Sequence, residues 1–246
     1  MRCLLSLVLA LGIASQAYGE DLRVYAAAAV RSPLLILAAD YEAKTGNTVV
    51  VVFDTAGATV ERFRADPNAT LLITTDAVLS QRESSGALKG GVRNQLGTTD
   101  AGIAVPPGSP KPDISSAATL KAALLAAQRI AFSDPARGAT VGTHFMTVIE
   151  TLGIKDEVLK KAVIAPDGVE TMRLVLDRTA DLGISQTSEI VQANPDALVG
   201  PFPREFSLAT TFSLWYPVSI SPAAIDFVTL IASPASRARL KTEGFR

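Results

Sequence analysis

Three times in this chain a strand-like apolar run gives way, through a few small residues, to a helix-like segment. Residues 22–29 lead to Ser32-Pro33, and residues 48–53 lead through Asp54-Thr55-Ala56-Gly57 into Ala58. Residues 129–132 lead through Ser133-Asp134-Pro135-Ala136-Arg137-Gly138 into residues 139–142. Alternation of this kind points to an α/β fold with mostly parallel strands. In open α/β sheets these junctions sit at the carboxyl ends of the strands, where ligands bind. A helix start offers unpaired N–H groups and the positive end of its dipole, and small residues let an anion reach the backbone. The junctions are therefore candidates for an anion site built from loops, although any α/β protein needs such connections.

The first residues read as a leader. Met1-Arg2 is positive, residues 4–13 are apolar, and Ala17-Tyr18-Gly19 offers small residues before a cut ahead of Glu20. This is a secretory signal pattern, so residues 1–19 are expected to be removed and the mature protein to be exported. Cys3, the single cysteine, falls inside the leader. The mature chain is then expected to have no disulfide, no thiolate nucleophile and no cysteine metal site. With 23 Lys and Arg against 24 Asp and Glu, the chain is near neutral, so nucleic acid is not an expected partner. The most apolar later stretch, residues 218–232, is interrupted by Pro222 and Asp226 and does not read as a membrane span.

Punctuation along the chain suggests two units. Residues 22–28 read as a strand, then Ser32 as an N-cap with Pro33 at the first helical position, and Gly46 as the stop. A strand is expected at 48–53, a helix at 58–65 and a strand at 71–74, with Asp76 capping the next helix. The run Pro106-Pro107-Gly108-Ser109-Pro110 opens a rigid connector. Beyond it come helices at 115–128 and 140–152, a strand at 129–132, an amphipathic segment at 169–178 and a strand at 180–185. Pro201-Phe202-Pro203 marks a second connector, and helices at 222–231 and 234–242 close the fold. The expected division is a first lobe from 20–105, a second from 106–205, and a return to the first over 206–246. Two crossings between two lobes place a cleft between them.

The candidate chemical groups are few. His144, the single histidine, cannot build a multi-histidine metal site, and no metal or other cofactor is expected. It reads better as a packed helix residue than as a ligand, with its place in an early helical turn leaving a role open. Arg31 is either a solvated arginine or a planar fork for a carboxylate, and Arg137 invites the same argument more weakly. Asp54 would repel an anion; it could cap the helix at Ala58, bond a ligand hydroxyl or act as a base. Gln186 stands where it could donate to a ligand, while Thr187 and Ser188 read as caps of a short helix at 189–192.

Several stretches taken in order resemble one family. The leader, Val24-Tyr25-Ala26-Ala27-Ala28, residues 71–76, Ser133-Asp134-Pro135, Asp181-Leu182-Gly183-Ile184 and residues 231–245 are similar to the periplasmic molybdate-binding proteins. These are bilobed solute-binding proteins of ABC transporters. The resemblance implies two α/β lobes with mixed, mostly parallel sheets, joined by two crossover strands and closing over an oxyanion. It also implies a monomer with an ABC permease as partner. The family holds its oxyanion with two serine hydroxyls, a tyrosine hydroxyl and backbone N–H groups. Here Ala29 and Ala56 stand at the serine positions and Gln186 at the tyrosine, while Val141 and Val169 stand at the backbone-donor positions. Each charge-assisted bond so lost is worth about 1.5–3 kcal/mol. Arg31, Thr55 and Gln186 suggest a larger organic anion, so an organic carboxylate is expected rather than molybdate. This outlying branch also resembles a periplasmic aconitate isomerase, so an enzyme moving an allylic proton is the second reading. Its base would come from His144, Asp54, Tyr25 or Glu189. His144 ranks ahead of Asp54 because its ordinary pKa is about 6.5.

Overall fold

The structure, a computed structural model, describes residues 19–246. The expected leader, all but its last residue, and Cys3 lie outside the described residues. The first part of the chain runs β1 (Asp21–Ala27), α1 (Arg31–Thr45), β2 (Thr48–Asp54), α2 (Ala56–Ala65), β3 (Ala69–Thr75), α3 (Asp76–Ser84) and β4 (Gly91–Ala104). Next come α4 (Ala117–Ala126), β5 (Ile130–Ser133), α5 (Thr140–Thr151), α6 (Lys155–Leu159), β6 (Ala162–Ala165) and α7 (Gly168–Leu176). The chain finishes with β7 (Leu182–Gln186), α8 (Thr187–Ala193), β8 (Leu198–Pro201), β9 (Ala209–Pro217), α9 (Pro222–Ile231) and α10 (Pro234–Thr242).

The fold is mixed α/β in two lobes. In the first, β1 lies between parallel partners β2 and β3, and β9 and then β4 extend the sheet antiparallel. In the second, β5 lies between parallel partners β6 and β7, and β7 and β8 both pair antiparallel with the end of β4. β4 therefore serves both sheets. Its residues 91–100 pair with β9, and its residues 101–104 pair with β7 or β8. The chain crosses between lobes inside β4 and returns through the segment entering β9.

Alternation along the strands fills both faces of each sheet. Val24 and Ala26 pack with Leu34, Phe227 and Leu240 of α1, α9 and α10, whereas Tyr25 and Leu72 pack with Val60, Phe63 and Leu79 of α2 and α3. In the second lobe Ile130 and Phe132 meet Leu120, Phe145 and Ile149, while Ala131 meets Met172, Val175 and Ile190. Gly46 ends α1 in the left-handed conformation, φ 73°, which suits a residue without a Cβ. Among the described residues no helix is long and apolar enough to cross a membrane.

Three expected caps are corrected. A 3-10 turn over Ala28–Val30 leads the chain into α1, so Ser32 is the second helical residue and its N–H donates across the cleft to Gln192 Oε1 at 3.0 Å. Thr75 rather than Asp76 caps α3, accepting from the Val78 N–H at 3.3 Å. The short helix near 189 begins at Thr187, with Gln186 as the residue before it.

Candidate functional site

The carboxyl ends of the parallel strands in both lobes face one another across a narrow cavity of about 30 Å³. From the first lobe come Ala27, Ala28 and Ala29 after β1, and Asp54, Thr55 and Ala56 after β2. The second lobe adds Ser133 after β5, Thr140 and Val141 at the start of α5, Gly168 at the start of α7, and Gln186 and Glu189 after β7. Phe212 of β9 closes the floor. The long helices α2, α5 and α7 begin at this cavity, and the first N–H groups of a helix have no partner within it. The surroundings therefore favour negative charge by about 0.3–1 kcal/mol per helix start. A water needs roughly 10–15 Å³ by this measure of volume, so the narrow cavity suits a group the size of a carboxylate or a small oxyanion.

Both rims of the cleft are tied between lobes. On one, Asp54 receives Arg137 Nη2 at 2.6 Å from the second lobe and Arg62 Nε at 2.6 Å from its own. Thr55 Oγ1 donates to the Arg137 carbonyl, and the Gly57 N–H donates to the Gly138 carbonyl at 3.1 Å. A Cβ at Gly57 would sit 3.0 Å from Gly138 Cα, so the small residues at this junction let two backbones meet. On the other rim Gln192 receives the Ser32 N–H and donates Nε2 to the Ala29 carbonyl at 2.7 Å.

These contacts settle several side chains. Thr55, not Asp54, caps α2, accepting from the Ala58 N–H at 3.3 Å. Burial alone would push the Asp54 carboxyl up. The Thr55 N–H and the Arg137 and Arg62 guanidinium groups outweigh it and hold the carboxyl below its ordinary value. Asp54 is thus an ion-paired clasp between the lobes, its basicity lowered rather than raised. Gln186 does line the cavity, and its Nε2 donates to Thr210 Oγ1 at 3.2 Å.

Glu189 is treated in the opposite way. Its Oε2 accepts from the Ser185 hydroxyl and from the Gln186 N–H at 3.1 Å. The carboxyl lies against the α-carbon of Gly168, in the space that a Cβ there would fill. Among the described residues no Lys, Arg or His forms an ion pair with it. Glu189 is half-buried as a residue, but its carboxyl is withdrawn from water against Gly168; this desolvation pushes it up to about 7, against the two hydrogen bonds and with a small further push from Asp167. That rise corresponds to about 3 kcal/mol, larger than the opposing effect of a helix start.

Of the remaining candidates, Val141 alone reaches the cavity. His144, on α5, holds its Nε2 2.8 Å from the Phe206 carbonyl and its ring edge-on to Phe202 at 5.9 Å. Tyr25 donates to Asp66 Oδ2 at 2.8 Å beneath the first lobe's sheet. Neither lines the cleft. Arg31 and Val169 line an adjoining groove of about 380 Å³, where the Arg31 guanidinium rests 4.8 Å above the Phe53 ring. Val141 is in the cavity wall itself. Sequence reasoning named Ala29, Thr55, Ala56, Val141 and Gln186 and missed the hydroxyls of Ser133 and Thr140. It offered Glu189 as a base without any signal to rank it.

Known proteins share this architecture. A family model described as bacterial extracellular solute-binding protein matches residues 22–246. An aconitate isomerase of a Pseudomonas species is 29% identical over 161 residues, covering 65% of this chain and 60% of that protein. The matched stretch thus spans less than two thirds of that relative's length. The periplasmic molybdate-binding protein of Azotobacter vinelandii superposes with a TM-score of 0.72 at 20% identity, over 92% of this chain and 98% of that one. PEB3, a Campylobacter jejuni protein, superposes in its L-phospholactate-bound form with a TM-score of 0.66 at 21% identity, over 92% and 99% of the two chains. Likeness at these identities speaks for the fold alone.

Proposed function

The chain belongs to the bacterial extracellular solute-binding protein family, and on that premise we propose that its cleft captures a small anion, an organic carboxylate in preference to molybdate. The observation that carries this reading is the convergence of three helix starts from two lobes on one narrow cavity, closed by contacts at both rims. Such a cavity attracts an anion through backbone N–H groups and helix dipoles. Closure excludes water and strengthens those interactions.

Preference for a carboxylate follows from what lines the first-lobe side. Ala29 and Ala56 present methyl groups, and the Thr55 hydroxyl is already engaged with Arg137. Among the described residues lining the cavity, the remaining hydroxyls are those of Ser133 and Thr140 across the cleft. A dianion with four oxygens would keep several of them without donors, whereas a carboxylate has two oxygens to satisfy. In this reading the protein works in the periplasm, and a membrane permease of the ABC class receives the solute.

A second reading is supported by the likeness to the Pseudomonas aconitate isomerase. An isomerase needs a base within reach of an acidic carbon, and His144, tied to the Phe206 carbonyl away from the cleft, does not supply one. A tricarboxylate would also need the lobes to part wider than the present cavity.

A thermal-shift panel of molybdate, sulfate, malate, citrate and cis- and trans-aconitate tests the first reading. A ligand at 100 times its dissociation constant adds about 2.7 kcal/mol of stability. The expected result is a clear upward shift with an organic acid and none with molybdate; submicromolar molybdate binding by calorimetry would overturn the preference. Following cis- and trans-aconitate by NMR with the same protein tests the second, and interconversion would establish it over simple capture.

A further inference from the structure

Glu189 is an acid without a cation in a cavity built for an anion. Its Oε2 is held by the Ser185 hydroxyl and the Gln186 N–H, and both oxygens lie against Gly168. Oε1 has no hydrogen-bond partner among the described residues. The charged groups around it do not offer compensation. Asp167, at the start of α7, is a like charge. Arg31, across the adjoining groove that Glu189 also lines, is turned onto the Phe53 ring. Asp54, across the cavity, carries its own two arginines.

An anion held in the cavity of about 30 Å³ stands against the Glu189 carboxyl in its wall with no cation between them, so each charge disfavours the other. We propose that the cleft takes up its anion together with one proton, Glu189 entering the complex as a neutral carboxylic acid whose O–H donates to the ligand. This rests on the reading of the cleft as an anion site and deepens it. The proton comes from solvent and settles on Glu189 Oε1, so Oε2 goes on accepting from Ser185 and Gln186. No covalent bond to the ligand forms or breaks. Burial already pushes this carboxyl up to about 7 in the empty site, and a bound anion pushes it further in the same direction. The same residue acting as an isomerase base would have to meet its substrate ionised, which reverses the expected proton count.

Calorimetric titration of the full chain with trans-aconitate and with sulfate at pH 8, in Tris and in HEPES, measures the proton directly. The two buffers differ in ionisation enthalpy, so proton uptake appears as a buffer-dependent heat. The expected result is about one proton taken up per bound anion, with affinity weakening about tenfold per pH unit above 7. In Glu189→Gln the heat should become independent of buffer and the affinity independent of pH. Binding by the parent without buffer dependence overturns the inference while leaving the anion site standing. If neither probe binds, a difference titration of ligand-free parent and Glu189→Gln still decides the proton. An extra group titrating near neutral pH in the parent supports the inference, and its absence overturns it. The buffer comparison on the parent does not depend on the variant folding.

Discussion

Replacing Glu189 by Gln should flatten the dependence of stability on pH. Folding lifts this carboxyl from 4.5 to about 7, so the native state holds the proton more tightly than the unfolded chain does. For a group raised in this way, the stabilising contribution is complete below the unfolded value and is lost as pH rises through the folded one. The lift corresponds to about 3 kcal/mol, and the start of α7, which favours the ionised form, takes back about 0.3–1 kcal/mol. Between pH 5 and pH 8 the parent should therefore lose about 1.5–2 kcal/mol through this group alone. The Gln amide has no such proton, and its oxygen can still accept from Ser185 and Gln186. Thermal melts of ligand-free parent and variant at both pH values isolate the effect, because every other titrating group is common to the two. For a chain of this length about 2–4 °C accompanies each kcal/mol, so the Tm difference between the proteins should change by about 3–8 °C in favour of the variant at pH 8. Parallel Tm profiles would refute the reasoning and mean that the carboxyl is ionised at neutral pH in spite of its burial.

Other consequences are equally direct. Arg137→Ala removes the guanidinium that clasps Asp54 across the cleft but leaves Arg62 and the Thr55–Arg137 backbone contact; because this arginine is 40% exposed, the expected cost is only about 1 kcal/mol, read as an affinity loss of about fivefold for the best anion of the panel. An unchanged dissociation constant would mean that this clasp does not bias closure. Gly168→Ala places a Cβ on the Glu189 carboxyl, so the variant should lose about 1–3 kcal/mol and the pH dependence of its melt should shift with the displaced acid; a melt identical to the parent's would show that the two do not touch. Ala29→Ser combined with Ala56→Ser should give molybdate measurable binding in calorimetry, each new hydroxyl adding about 1.5–3 kcal/mol if it reaches the anion. No gain would remove the missing hydroxyls as the cause of the preference.

Much of the scaffold was legible because local chemistry marks it. Pro222 and Pro234 stand at the first positions of α9 and α10, and Gly46 and Gly153 follow α1 and α5 in left-handed turns. β1, β2, β5 and β7 are compact apolar runs in a parallel arrangement. β4 was missed because residues 91–100, Gly-Val-Arg-Asn-Gln-Leu-Gly-Thr-Thr-Asp, carry neither an apolar run nor a clean alternation; they form a strand because β9 pairs with them along their length. The site was legible as loops and not as partners. Asp54 and Arg137 are 83 positions apart, and Gln192 meets Ala29 across 163. Nothing in a local pattern signals contacts that exist only when two lobes close.

Asp54 and Glu189 show most clearly what tertiary structure adds. In the sequence both are acids just after or just inside a strand-to-helix junction, and both would oppose an anion equally. The fold resolves them by two routes. Asp54 sits where loops from both lobes bring arginines to it, so its charge is retained and cancelled, and it becomes part of the closing contact. Glu189 sits over a glycine, held by a hydroxyl and an amide but by no cation, so its charge is disfavoured and its proton affinity raised. The arginines cancel the Asp54 charge outright, and a proton taken up with the ligand removes the Glu189 charge, which together let the helix starts attract an anion. The difference appears on changing pH: the Asp54 clasp should hold unchanged from pH 6 to pH 8, while the Glu189 side of the cleft becomes repulsive. Affinity for a fully ionised probe such as sulfate should therefore decline over that range even though the rim contacts persist, and a decline that instead tracked the Asp54–Arg137 pair in an Arg137→Ala variant would assign the effect to the wrong acid.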